Sequence, residues 1–204
     1  KLVNHFQHFP HLLSSSATSQ KPSLPASDEN IKPLSLYWGT ATTSTPHFGY
    51  FLPLLKLRDF LHLDINVTIL LADIHAALDK IDFERMDGCK EYYEFVLRAM
   101  LRRIQVDQES ESSDKHSSAR SSLQSRSGGS GTLRFRTGSE FQLSPQYCMD
   151  VYRMSHISTI DSARGASAMV VKQSENPVLS SIMYPILQAL DEVYLDADIQ
   201  FGGV

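Results

Sequence analysis

The sequence has 204 residues, of which 42% are hydrophobic and 21% charged, a composition typical of a soluble globular domain with a substantial core. Its net charge of -4 excludes a protein that coats nucleic acid through bulk positive charge, because neutralising phosphates requires clustered lysine and arginine. The two cysteines, Cys89 and Cys148, lie far apart and no apolar run approaches the roughly 18 residues of a membrane helix. We therefore expect reduced thiols, no disulfide framework, no metal site and no membrane contact.

The beginning of the chain, residues 1–33, is rich in serine, proline and histidine, which predicts a disordered leader. The pattern changes at Leu34, where apolar and polar residues begin to alternate through Trp38. This alternation predicts a short strand that breaks at Gly39.

The segment after this strand predicts a strand, helix, strand unit. Pro46 is expected in the first turn of the helix, because the N–H that proline lacks would be unpaired there, and helical spacing continues to Phe60. Residues 66–71 are apolar at nearly every position, as expected of a strand whose two faces are both covered by helices. This order of elements predicts a right-handed crossover between parallel strands.

A second helical pattern covers residues 82–105, with an apolar stripe that we expect to form core. The stripe consists of Tyr92, Tyr93, Val96, Leu97, Met100, Leu101 and Ile104. Residues 107–131 are dominated by serine and glycine and predict a disordered insertion, because so few apolar side chains cannot offset the entropy of ordering. A short strand at 132–136 and helices at 145–156 and 176–197 are expected to follow.

The turn after the first strand has the features of an anion site. A hydroxyl-rich loop leads into a helix start, where unpaired N–H groups and the helix dipole favour phosphate. His47 lies in the expected first turn and Gly49 leaves room for a ligand against the backbone. The alternative is a capped helix with a surface histidine.

A second group of polar residues is found near the end of the chain. If Pro185 begins a helix, then Tyr184, Gln188 and Asp191 share one face at i, i+4 and i+7. Three polar side chains beside an apolar stripe suit a small polar ligand. A solvated helix face is equally consistent with this spacing.

A third candidate lies at the end of the buried strand, where Asp73 and His75 follow Ala72. Ligands of open α/β sheets bind at the carboxyl ends of parallel strands. An isolated histidine at such a position is more often a core residue than a ligand.

Taken together and in order, these segments resemble the eukaryotic-type cytosolic tyrosyl-tRNA synthetases, a class I family, over residues 36–76, 92–104 and 138–203. The stretches that carry the resemblance are Tyr37-Trp38-Gly39-Thr40-Ala41, Leu70-Leu71-Ala72-Asp73-Ile74-His75-Ala76, Tyr184-Pro185-Ile186-Leu187-Gln188-Ala189-Leu190-Asp191 and Gln200-Phe201-Gly202-Gly203. The resemblance implies an α/β fold: an incomplete Rossmann-like parallel sheet with flanking helices and a helical connecting insertion, in one partial catalytic domain of residues 34–204.

The resemblance also implies which residues act. His47-Phe48-Gly49-Tyr50 stands in the place of the class I signature, so His47 and Tyr50 are the expected catalytic residues. The residues expected to bind ATP are Gly39, Thr40, His47, Gly49, Gly202 and Gly203. Those expected to bind substrate tyrosine are Tyr37, Asp191, Tyr184, Gln188, Gln200, Ala72 and His75. Among these, Tyr37 and Asp191 are expected to hold the phenolic hydroxyl, and Tyr184, Gln188 and Gln200 the ammonium group.

The implied reaction is attack of the tyrosine carboxylate on the α-phosphate of ATP, followed by transfer of the tyrosyl group to tRNA(Tyr). ATP would act with Mg2+ as a substrate complex, without a tightly bound cofactor, and the full enzyme would be a cytoplasmic homodimer. The second family signature, Lys-Met-Ser-Lys-Ser, does not occur in this sequence. We therefore expect that this polypeptide alone does not aminoacylate.

Three alternatives remain open. The first is the sister tryptophan-tRNA ligase, and the second is a non-catalytic truncated isoform that dimerises with or regulates the full enzyme. A small nucleotidylyltransferase with a related His-x-Gly signature is the third, but it leaves the polar face of residues 184–191 unexplained.

Overall fold

The computed structural model describes residues 32–104, 131–167 and 176–202. Nearly all of the expected leader and of the expected serine-rich insertion lies outside these ranges. The chain forms two compact units. The sheet unit comprises residues 33–104, 131–138 and 197–202, and the helical unit comprises residues 139–167 and 176–196.

The sheet unit is built on four parallel strands in the order β3-β2-β1-β4. The strands are β1 (Ser35–Ala41), β2 (Asn66–Ala72), β3 (Leu133–Thr137) and β4 (Ile199–Gln200). Every residue of β2 except Asn66 is buried, as its apolar sequence predicted. The expected parallel α/β sheet of Rossmann-like type is confirmed.

Three helices belong to this unit: α1 (Phe51–Leu61), α2 (Asp73–Asp79) and α3 (Met86–Arg103). Short 3-10 turns at Phe48–Tyr50 and Phe83–Arg85 precede α1 and α3. One face of the sheet packs with α1 and α3 into a single hydrophobic core, to which Leu36, Leu57 and Leu97 contribute fully buried side chains. This core holds the carboxyl end of β1, and the turn that follows it, in place.

The expected boundaries of the first strand and helix were wrong in two respects. β1 does not break at Gly39 but continues to Ala41, because Gly39 and Thr40 stay paired with Leu70 and Leu71 of β2. Pro46 is not in the first helical turn, because His47 caps the 3-10 turn that comes first, and α1 begins only at Phe51.

The predicted stripe of α3 was correct at most positions, but Val96 is only half-buried and lies outside the core cluster. Tyr93, Leu97 and Leu101 are buried, at the i, i+4, i+8 spacing of one helix face. Tyr92 was wrongly included as core: it is 47% exposed, since one step along a helix rotates a side chain by about 100° away from the buried face. The strand expected at 132–136 is present one residue later.

The helical unit contains α4 (Ser139–Gln142), α5 (Pro145–Ile157), α6 (Ile160–Ser167) and α7 (Leu179–Tyr194). α5 begins as expected, with Pro145 in its first turn and Ser144 as the cap that accepts the Tyr147 N–H. Pro185 was wrongly placed at a helix start. It lies buried inside α7, which begins six residues earlier.

The short elements α2, α4, α6 and β4 were not predicted. Each has eight residues or fewer, too few to show a clear period. In the described part of the chain, no helix is both long and apolar enough to cross a membrane.

Candidate active site

The turn between β1 and α1 presents a histidine at a helix start. The His47 side chain caps the turn, since its Nδ1 accepts the backbone N–H of Gly49 at 3.1 Å. Because Nδ1 is the acceptor, the neutral imidazole carries its proton on Nε2. His47 is exposed, so this N–H can donate to an anion outside the turn. The surface-histidine alternative therefore describes the geometry correctly and is compatible with anion binding.

Gly49 is required by this arrangement. A Cβ added at Gly49 would lie 2.8 Å from the imidazole Cε1 and 2.9 Å from Nδ1 of His47. Any side chain at Gly49 would therefore push the imidazole out of its present position. By contrast, a Cβ at Gly39 would meet nothing closer than 3.6 Å, and this exposed backbone at the end of β1 is open to a ligand.

Tyr50 connects the turn to the sheet. Its hydroxyl lies 3.0 Å from Oγ1 of Thr40, and its ring packs edge-on against the rings of His47 and Trp38 at centroid distances of 5.2 and 6.0 Å. Burial raises the pKa of Tyr50 to about 12. Tyr50 thus stays a neutral hydroxyl at physiological pH, and the structure brings together three residues that were predicted to act here: Thr40, His47 and Tyr50.

The loop leading into the turn is anchored by a residue that the sequence did not identify as functional. The Tyr93 hydroxyl of α3 accepts the backbone N–H of Ser44 at 3.1 Å and lies 3.3 Å from the Ser44 hydroxyl. Earlier in the loop, Thr42 is fully buried. Its Oγ1 has no hydrogen-bond partner among the described residues.

On the sheet face opposite the core, Tyr37 and Gln200 are neighbours. They are register partners in the parallel pair β1–β4, and directly paired residues project to the same face. The Phe201 N–H donates to the Tyr37 carbonyl at 2.9 Å, which extends the pairing beyond β4. Tyr37 is buried and Gln200 exposed.

A carboxylate holds the start of β4. Oδ2 of Asp198 accepts the Ser35 backbone N–H at 2.8 Å and the Ser35 hydroxyl at 2.7 Å, and the Asp198 N–H donates back to that hydroxyl at 3.1 Å. Three hydrogen bonds thus join Ser35, the first residue of β1, to Asp198, which directly precedes β4, the two-residue strand that carries Gln200.

The end of β2 lies away from the surface. Ala72 and His75 are both buried, and Oδ1 of Asp73 accepts the Ile74 N–H at 2.9 Å at the start of α2. Burial lowers the pKa of His75 to about 4, so the imidazole is neutral at physiological pH. The position favours the core-residue interpretation of His75.

In the helical unit, Asp191 of α7 is the centre of a buried polar cluster. Its two carboxylate oxygens accept from Nε2 of Gln142 at 2.7 and 2.9 Å, and Oδ1 also accepts the Tyr147 hydroxyl at 2.7 Å. Asp191 is only 3% exposed, so the solvated-face alternative is wrong for this residue. Burial, together with the negative charge of Asp191, raises the pKa of Tyr147 well above its usual range.

A second buried carboxylate, Asp150, lies on α5. It accepts the Tyr194 hydroxyl at 2.8 Å and a guanidinium N–H of Arg153 at 2.8 Å. Burial and then the hydrogen bond to Asp150 raise the pKa of Tyr194. The Tyr147 and Tyr194 rings pack edge-on at 4.8 Å, so the two carboxylate clusters share one aromatic wall.

The other residues predicted to bind a substrate lie on α7 and at the end of the chain. Tyr184 and Gln188 are half-buried on α7, two turns and one turn before Asp191. Gly202 is exposed at the end of the described chain, and Gly203 lies outside the described residues. Tyr37 and Asp191 belong to different units, so their joint grip on one phenol stays a prediction.

The sequence missed Gln142 and Tyr147, which hold Asp191, as well as Tyr93, which anchors the loop. The period of α3 predicted that Tyr93 is buried, but a period does not tell which backbone group a hydroxyl meets. Within the described ranges, no group of three or more histidine, cysteine, aspartate or glutamate side chains is arranged to hold a metal ion.

Known proteins are similar to this chain in sequence and in fold. The chain is 46% identical over 173 residues to the cytoplasmic tyrosine–tRNA ligase of Saccharomyces cerevisiae, an alignment that covers 84% of this chain and 38% of that protein. It is 47% identical over 175 residues to the cytoplasmic tyrosine–tRNA ligase of Xenopus tropicalis, covering 85% of this chain and 29% of that protein. The chain thus spans well under half of the length of these curated relatives.

A solved structure also superposes on the fold. The tyrosyl-tRNA synthetase of Archaeoglobus fulgidus complexed with L-tyrosine matches with a TM-score of 0.63 and 28% identity, covering 84% of this chain and 46% of that one. The sequence profile of the family described as tRNA synthetases class I (W and Y) matches residues 29–204. The chain belongs to this family, the class I tRNA synthetases for tryptophan and tyrosine.

Proposed function

We propose that the protein to which this chain contributes is a tyrosine–tRNA ligase. In the first step, an oxygen of the tyrosine carboxylate forms a bond to the α-phosphorus of ATP. The bond from that phosphorus to the bridging oxygen breaks, and pyrophosphate leaves with the electron pair. In the second step, the tyrosyl group passes from the adenylate to tRNA(Tyr), and AMP is released. The tyrosine–tRNA ligases among the relatives support this choice of substrate.

The observation that carries the proposal is the buried Asp191 carboxylate, which Gln142 and Tyr147 hold in place. Three hydrogen bonds from these two residues fix its oxygens as acceptors. The phenolic hydroxyl of substrate tyrosine is a donor that matches such an acceptor. Phenylalanine cannot make this hydrogen bond, at a cost of about 1–3 kcal/mol for the missing bond.

Tyrosine suits the predicted site better than tryptophan does. A phenol donates one hydrogen bond and also accepts, whereas an indole N–H only donates. Asp191 is proposed to accept from the substrate, and the Tyr37 hydroxyl to donate to the same substrate oxygen. Only a phenol meets both requirements.

For ATP, we propose that the turn at His47 receives the phosphates. The Nε2 proton of His47 points away from the capping bond to Gly49 and can donate to a phosphate oxygen. The exposed backbone at Gly39 lets a nucleotide approach the end of β1. Thr40 and Tyr50 are proposed to fix the same turn from the sheet side. Mg2+ would accompany ATP and neutralise the charge that develops on pyrophosphate.

The other residues complete the proposal. Tyr184, Gln188 and Gln200 are proposed to hold the tyrosine ammonium group, and Ala72 and His75 to form the wall of its pocket. Because His75 is neutral, its position adds no positive charge that would repel the ammonium group. The full protein is proposed to act as a cytoplasmic homodimer on tRNA(Tyr), in line with the cytoplasmic relatives.

The test is tyrosine-dependent ATP–pyrophosphate exchange by the protein as its gene encodes it, with tyrosine, phenylalanine and tryptophan as substrates. We expect tyrosine to be preferred over phenylalanine by about 10^4-fold or more, as for sites that bond a substrate hydroxyl. Asp191→Asn should lower kcat/KM for tyrosine by about 10^2-fold or more, because the amide presents a donor where an acceptor is needed.

The matched control is Asp161→Asn, an exposed aspartate of α6 in the same unit, which should leave the kinetics unchanged. A protein that exchanges with tryptophan rather than tyrosine, or with neither, would overturn the proposal.

A further inference from the structure

Tyr93 contacts both ends of the turn that carries His47. At the start of the turn, its hydroxyl accepts the Ser44 N–H at 3.1 Å and lies 3.3 Å from the Ser44 hydroxyl. At the end of the turn, the Tyr93 ring packs edge-on against Tyr50 at a centroid distance of 6.1 Å. Tyr93 itself is only 1% exposed and belongs to the core of the sheet unit. A rigid side chain thus clamps a loop 49 residues away in sequence.

The loop needs such a clamp. Residues 42–47 contain no helix or strand, so no ladder of backbone hydrogen bonds holds them. The hydroxyl of Thr42 is buried and has no partner among the described residues, so it adds no hydrogen bond there that holds the loop. The conformation of the loop therefore depends on contacts from outside it, such as the hydrogen bond from Ser44 to Tyr93.

The link from Ser44 to His47 is short and stiff. Only two residues separate them, and the second, Pro46, is a buried proline with a fixed φ that also restricts the residue before it. His47 then begins the turn with an extended backbone, at φ -115° and ψ 173°. If the backbone at Ser44 moved, the short link could not absorb the movement, and the His47 imidazole would move with it.

We propose that Tyr93 is a positioning residue for the phosphate-binding turn: it fixes the loop at Ser44 and thereby the place of the His47 imidazole. The inference rests on the proposed ATP site but concerns a residue on α3 that contacts no substrate in that proposal. Its removal should weaken the use of ATP and spare the binding of tyrosine, because Ser44 and Tyr50, which Tyr93 contacts, are not among the residues proposed to bind tyrosine.

The first test measures how firmly the loop is held at Ser44. In the protein as its gene encodes it, amide hydrogen exchange at Ser44 is compared between wild type, Tyr93→Phe and the control Tyr92→Phe, which changes a half-exposed tyrosine next to it on α3. We expect exchange at Ser44 to accelerate about tenfold in Tyr93→Phe only, which is the effect of losing one hydrogen bond. Unchanged exchange in a folded Tyr93→Phe would overturn the inference.

The second test separates the two substrates in ATP–pyrophosphate exchange. We expect Tyr93→Phe to raise the KM for ATP by about five- to fifteen-fold while the KM for tyrosine changes less than about twofold. Ser44→Ala keeps the backbone N–H and removes only the weaker hydroxyl contact, so it should raise the KM for ATP about twofold to threefold. Equal rises in both KM values would show a general loss of structure and overturn the inference.

Ser44→Ala also decides the case if Tyr93→Phe fails to fold, since Ser44 is exposed and outside the core. An unchanged KM for ATP in that variant would then overturn the inference. A wild-type protein without ATP–pyrophosphate exchange activity would instead refute the proposed function. Amide hydrogen exchange at Ser44 would still decide whether Tyr93 holds the loop.

Discussion

The Tyr147 hydroxyl lies 2.7 Å from Oδ1 of Asp191, at the centre of the helical unit. The same hydroxyl is 3.0 Å from the Leu187 carbonyl, one turn earlier on α7. A residue of α5 thus holds the one carboxylate that distinguishes a phenol from a phenyl ring in the proposed site. Its partner Gln142 comes from α4, so three separate helices determine where the Asp191 oxygens lie.

This cluster gives the first prediction. Tyr147→Phe removes one donor from a buried carboxylate and leaves the ring packing intact, so the free energy of unfolding should fall by about 1–3 kcal/mol. The KM for tyrosine should rise because Asp191 is less well oriented. Thermal unfolding and pyrophosphate exchange measure the two effects. Tyr152→Phe is the control, since this tyrosine of the same helix is 70% exposed, and an equal loss in both variants would contradict the prediction.

The range of the interactions explains how much of the fold and site could be predicted from the sequence. Long elements were predicted correctly because the pattern of apolar residues that indicates them lies within one continuous stretch of sequence. This holds for α3 and β2. Asp191 was identified through its motif, but its partners were not, because the contacts of Gln142 and Tyr147 span 49 and 44 residues. Pairing between strands likewise kept β1 regular past Gly39, where the local sequence suggested a break.

The second prediction concerns the position of Gln200. Asp198→Ala removes the acceptor of two hydrogen bonds from Ser35 and should release β4, because two residues of pairing cannot hold a strand alone. Exchange of the Phe201 N–H should accelerate at least about tenfold, the effect of losing a bond worth about 1.4 kcal/mol. Ser35→Ala, which removes only the hydroxyl, should have a smaller effect. If the Phe201 amide remains protected in Asp198→Ala, the contacts of Asp198 are not what holds β4.

The third prediction concerns two glycines with opposite surroundings. A Cβ at Gly131 would lie 2.5 Å from the Ile65 carbonyl oxygen and 2.9 Å from that of Leu61, and backbone atoms cannot move away cheaply. Gly131→Ala should therefore destabilise the protein by about 1–3 kcal/mol or more. At Gly88 in α3, a Cβ would meet nothing within 4 Å, so Gly88→Ala should stabilise by about 0.5–1 kcal/mol. Denaturant unfolding measures both, and effects of the same sign would contradict the packing around Gly131.

The fourth prediction is a pH dependence of stability that originates in His75. Burial lowers the pKa of this imidazole from 6.5 to about 4 in the folded protein, so between these values the unfolded chain binds a proton that the folded chain does not. Stability must then fall as the pH is lowered from 6.5 toward 4 and level off below that, where both states are protonated. The loss from this one group is on the order of 3 kcal/mol, at 1.36 kcal/mol for each pH unit of difference.

Two variants isolate this effect. The free energy of unfolding is measured by urea titration at several pH values. Because His75→Gln removes the titrating group, the dependence of this free energy on pH between 4 and 6.5 should become weaker by the amount that corresponds to about one proton. The exposed His62→Gln should leave the slope as it is in the wild type. Because the proposed tyrosine pocket needs a neutral residue at this position, His75→Gln should also keep most of the affinity for tyrosine. If the acid slope persists in His75→Gln, another buried group causes it and the imidazole of His75 is not kept neutral by burial.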